Sequence, residues 1–131
     1  MIFLLLKIAG LEHLPEHVLS NYALEPSLIW QAGDESPTGE PYGDTGFNLT
    51  FPNHESWQDA LVYLQDFLED KSEMFHELIG LGAEMDLHIG TAIPAGETVS
   101  PPVEIPRYLM EELVMREISL SVIAFTGEEK S

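Results

Sequence analysis

The chain has 131 residues, 23 acids against 5 bases, no cysteine, and 44% hydrophobic residues. A chain of this length holds one core, burying roughly two-thirds of its unfolded surface, and without cysteine it has no disulfides, thiol nucleophiles or cysteine zinc sites. A net charge of −18 argues against nucleic acid and anionic membrane as direct partners, because phosphate binding needs clustered Lys and Arg.

The stretch from Met1 to Gly10 carries its only base, Lys7, after a short apolar run. An export signal has the reverse order, so the expected location is cytoplasmic. Met1 to Ala9 instead reads as a buried strand ended by Gly10. Pro15 suits the first turn of a short helix with Val18, Leu19 and Tyr22 as apolar positions. A brief strand is expected over Leu28 to Gln31, after the Glu25-Pro26 break. Ala32 to Gly46 is dense in Gly, Pro and acids and reads as a loop.

Phe47, Leu49 and Phe51 then alternate with Asn48 and Thr50, the period of a strand with one buried face. Ser56 is the expected N-cap of a long helix from Trp57 to Ile79, closed by Gly80 and Gly82. Glu84 to Thr91 alternates again, with Met85, Leu87 and Ile89 inward and Asp86 and His88 outward. A second long loop runs from Ile93 to Pro106, and a helix from Arg107 to Met115 follows. The last strand is predicted to bury Ile118, Leu120, Val122 and Ala124 and to expose Ser119 and Ser121.

One domain, residues 1–131, is therefore expected, with 126–131 a frayed tail. The fold class is α+β: a ferredoxin-like βαββαβ sandwich with an added αβ unit, its mostly antiparallel sheet carrying helices on one face. The segment Leu24 to Asp34, the run Thr45-Gly46-Phe47-Asn48-Leu49, and the ending Glu112 to Val122 together resemble the bacterial domain-of-unknown-function family numbered 4279. The resemblance spans nearly the whole chain and implies fold and bacterial context. It brings no activity and no catalytic residue.

On a wheel of 100° per residue, Glu55, Asp59, Asp66, Asp70, Glu73 and Glu77 fall in a fan of about 60° opposite Trp57, Leu64 and Phe75. Lys71 is the only base in that helix. Acidic pairs four apart each cost roughly 0.2–0.5 kcal/mol, and ordinary surface helices mix signs. So chemically uniform a stripe suits docking of a basic protein, as in an immunity or antitoxin type of module, although solvated surface also explains carboxylates on so acidic a chain. The partner-binding candidates are Asp59, Asp66, Asp70, Glu73 and Glu77.

The alternative is a small-molecule or metal binder on the open sheet face, using Lys7, Asp86 and His88. His13 and His17 are four apart, but Pro15 intervenes and no third ligand is at hand, so no metal site is predicted. The glycine-rich loop from Gly33 to Gly46 holds four carboxylates and no Lys, and would repel a phosphate. No catalytic motif is present, and the expected protein is not an enzyme and takes no cofactor. A homodimer is compatible with these features.

Overall fold

The computed structural model describes residues 1–93, 96 and 103–126. Ile2–Leu11 (β1) is the central strand, and its even positions Ile2, Leu4, Leu6 and Ile8 are almost fully buried. Alternation places them on one face of the pleat. Their partners come from Thr45–Thr50 (β3) on one side, where Leu6 faces Leu49, and from Glu84–Ile93 (β4) on the other, where Leu6 faces Leu87. Both pairings are antiparallel.

Leu28–Trp30 (β2) adds antiparallel to β3, and Ile118–Thr126 (β5) adds parallel to β4. The five-stranded sheet has the order β2-β3-β1-β4-β5. The fold is thus mixed α+β with a mostly antiparallel sheet. Helices Glu16–Asn21 (α1), Trp57–Asp70 (α2), Ser72–Gly80 (α3) and Arg107–Met115 (α4) all contribute to one core cluster with the inward residues of β1, β3 and β4. No helix among the described residues is long and apolar enough to cross a membrane.

The long helix expected over Trp57 to Ile79 is instead two. Lys71 leaves helical geometry, with φ −104° and ψ 24°, between α2 and α3. The reason lies in the phase of the buried residues. On a continuous wheel the buried set Met74, Phe75 and Leu78 sits about 50° from the set Ala60, Leu61, Leu64 and Leu68. The break lets both sets face the sheet. The expected Ser56 cap is present, with its hydroxyl accepting from the Asp59 backbone N–H at 3.2 Å.

A further expectation is corrected. Val122 and Ala124 are exposed, because β5 is an edge strand lying beyond the cover that α2 and α3 give the central strands. Thr126 ends β5; the rest of the expected tail, 127–131, and most of the loop after Ile93 lie outside the described residues.

The first long loop is held by side chains. Asp44 accepts from the Gly10 N–H at 2.8 Å and from the Trp30 indole N–H at 3.3 Å, and Tyr42 stacks on Trp30 with centroids 5.3 Å apart. Gly46 is obligatory under that indole, since a Cβ there would meet the Ile8 carbonyl oxygen at 2.3 Å and Trp30 at 2.4 Å. Arg116, nearly buried, joins the helices: it donates to the Glu112 carboxylate at 2.5 Å and to the Ser72 hydroxyl at 3.3 Å.

Candidate functional site

An open groove of about 870 Å³ lies between α2, the end of β3 and the segment that joins α1 to β2. Its aromatic residues follow from two local patterns. Tyr63 and Phe67 are four apart on α2, and Phe51 ends the alternation of the strand before it. They converge, with Phe51 4.7 Å from Phe67 and 5.6 Å from Tyr63 between centroids. The His54 ring lies 5.2 Å from that of Tyr63 between centroids. Burial pushes the Tyr63 phenol above its ordinary pKa.

The rim is acidic. Asp66 and Asp70, one turn apart on α2, line the groove with Glu69 and with Glu25 from the facing segment. Lys71 is the single base there. It is already engaged, donating to the Tyr22 carbonyl at 3.2 Å and lying 3.8 Å from Asp70. Glu25, Asp66 and Glu69 are exposed and form no ion pair among the described residues. In a half-open, partly apolar site they attract positive charge more strongly than on a fully hydrated surface.

The facing wall is fixed at Tyr22, the C-cap of α1, followed by Ala23 at φ 52°. Leu24 N–H donates to the Leu19 carbonyl at 2.9 Å and Ala23 N–H to that of Ser20 at 3.2 Å, the backbone turn that ends a helix in left-handed geometry. The Tyr22 hydroxyl donates to the Glu77 carboxylate of α3. That bond, partial desolvation and the charges of Glu77 and Glu73 push the Tyr22 phenol up to about 12.

The predicted acidic fan is thereby divided. Asp66 and Asp70 are at the groove, Asp59 lies at the start of α2, and Glu73 and Glu77 belong to a different helix. Glu73 is exposed, while Glu77 is half-buried, bonded to Tyr22 and 3.9 Å from the His17 imidazole. One predicted stripe has become a groove rim and a helix-to-helix contact. Sequence reasoning missed Tyr22, Phe51, Tyr63 and Phe67 as site residues. The i,i+4 pair Tyr63/Phe67, interleaved with Asp66/Asp70, was a visible signal; the arrival of Phe51 and Tyr22 was not.

Lys7 and Asp86 are direct neighbours across β1 and β4. They line a smaller cavity of about 370 Å³ with Glu84, Glu117 and Ser119. His88 stands two pairs further along, opposite Leu5 and Ser121, and does not line that cavity. Lys7 Nζ lies 5.8 Å from the centre of the Trp30 ring. Phe3 packs on Phe125 at 5.5 Å, and Tyr42 of the long loop stacks on Trp30 and not on Phe3. Among the described residues no three His, Asp or Glu side chains converge to hold a metal ion.

Comparison of the chain with protein-family models, curated proteins and solved structures found no match.

Proposed function

We propose that the protein is a non-enzymatic interaction module whose acid-rimmed aromatic groove receives a basic segment of a partner protein. One observation carries this reading: Asp66 and Asp70 open onto the same groove as Tyr63, Phe67 and Phe51. Aromatic faces attract ammonium and guanidinium groups, and carboxylates at the rim neutralise them. The groove falls within the range of roughly 300–1,000 Å³ of ordinary ligand pockets, large enough for a few side chains. A module of this kind suits an immunity or antitoxin role against a basic enzyme in the cytoplasm. The resemblance to family 4279 adds the bacterial context. The order β2-β3-β1-β4, with every neighbouring pair antiparallel, supports a ferredoxin-like reading of the first six elements, with α3 continuing α2 and β5 added at one edge.

The test is titration of the protein with an oligo-arginine peptide at low salt. The double substitution Asp66→Lys and Asp70→Lys is expected to weaken binding about tenfold or more, since charges near a desolvated contact are worth more than exposed pairs. The control Glu104→Lys with Glu111→Lys makes the same change in net charge away from the groove. Equal loss in both variants would reduce the effect to bulk charge and remove the groove from the account.

A second reading rests on the Lys7 and Asp86 cavity: a small zwitterionic ligand held by the sheet face, with His88 at its border. A ligand screen read by melting temperature separates the two. A shift that survives moderate salt and disappears in Asp86→Asn supports the sheet-face site.

A further inference from the structure

The described residues expose twelve large apolar side chains, and seven of them lie on the two consecutive elements α4 and β5. Val114 and Met115 are 74% and 71% exposed on α4, and Ile123 is 56% exposed on β5. α4 packs against β5, at the margin of the sheet. β5 itself is bonded to β4 alone among the described strands. Its nine residues span about 30 Å, leaving that length of N–H and C=O groups on the outer edge.

Exposed edges are normally guarded by Lys, Pro, a bulge or brevity. The opposite edge, β2, has only three residues. β5 has no such guard: Ile118–Thr126 contains no charged residue and no proline.

Charge identifies the occupant. Residues 107–126 carry two bases and three acids, a net of −1 on a chain of −18. Two of those pairs are internal, Arg107 with Glu111 and Arg116 with Glu112. A basic partner gains nothing from so neutral a face. A second copy of this chain, which would be repelled almost everywhere else, meets little repulsion here.

We infer that two copies associate through β5, antiparallel about a two-fold axis, with the exposed faces of the two α4 helices closing over the junction. The interface is isologous, so it closes at two copies, and the short β2 edges left outside do not propagate it. A stable dimer needs roughly 800 Å² from each partner; the strand edge alone falls short, and the Met110, Val114 and Met115 face of α4 supplies the rest. This inference is independent of the groove.

Sedimentation analysis of the full chain over a range of concentrations tests it. The expected result is a mass of two chains, with dissociation favoured at low salt, where repulsion between the acidic remainders is strongest. Val114→Lys on the helix and Ile123→Lys on the strand are each expected to halve the mass. Lys is a better helix former than Val, so Val114→Lys leaves the fold intact and far-ultraviolet dichroism unchanged. Val62→Lys, at an exposed position of α2, is expected to leave the dimer in place. The chain lacks cysteine, so single cysteines at Ser121, Val122 and Ile123 are expected to give a disulfide-linked dimer at the position nearest the axis. A monomer at every concentration, or a dimer that persists in both Lys variants, overturns the inference.

Discussion

The Tyr22 hydroxyl donates to the carboxylate of Glu77, joining the end of α1 to the middle of α3 across 55 positions of sequence. Its neighbour Lys71 reaches the Tyr22 carbonyl from the break between α2 and α3. One wall of the groove therefore depends on three residues from different elements.

That pair makes alkaline stability a readout of the wall. The Tyr22 phenol is raised from 10.0 to about 12, chiefly by its bond to Glu77. A group with a raised folded pKa contributes fully below its unfolded pKa, and the contribution is lost as pH climbs through the folded value. Denaturant midpoints are expected to fall between pH 10 and 12 in the parent and to fall less steeply in Tyr22→Phe. Phenolate absorbance should show late titration from both Tyr22 and Tyr63 in the parent, and Tyr22→Phe should remove the Tyr22 share of it.

Ala23 and Glu117 both sit at positive φ, 52° and 55°, just after the ends of α1 and α4. Left-handed geometry costs a side chain about 1–2 kcal/mol, part of which glycine returns as chain entropy. Ala23→Gly and Glu117→Gly should each stabilise the fold by a net of about 0.5–1 kcal/mol in urea melts. A loss of stability in either variant would mean that the side chain contributes something beyond the turn.

Gly46 should tolerate no side chain. A Cβ 2.3 Å from the Ile8 carbonyl oxygen cannot be relieved by rotating a side chain, because backbone is in the way. Gly46→Ala is expected to cost about 3 kcal/mol or more, at the upper end of overpacking penalties. Near-ultraviolet dichroism of Trp30 should change with it.

Leu64 tests the core that carries the groove. It is 1% exposed on the inner face of α2, and Leu64→Ala should cost about 2–5 kcal/mol by cavity formation. Peptide binding by the folded fraction should persist, since the rim residues lie on the opposite side of the helix.

Much of the fold was legible in the pattern of residues. The alternations in β3 and β4 and the Ser56 cap are local signals, and the residues that they mark as buried are buried; the apolar run of β1 marks a strand, but only Ile2, Leu4, Leu6, Ile8 and Leu11 of it are buried. The unbroken acidic helix was not, because a wheel assumes the phase continuity that the core overruled at Lys71. The burial expected for Val122 and Ala124 failed for a related reason: alternation says which residues share a face, while only strand order says whether that face is covered.

The sequence by itself determined the element types, which residues of a strand share a face, and an acidic chain without cysteine chemistry, since each of these depends on spacing and composition alone. Tertiary structure decided which carboxylates share a groove with aromatic rings, which one is bonded to Tyr22, and which strand is left at the edge. Those facts join residues such as Tyr22 and Glu77, or Phe51 and Phe67, whose meeting depends on how whole elements pack. No local pattern encodes the distances that make them neighbours.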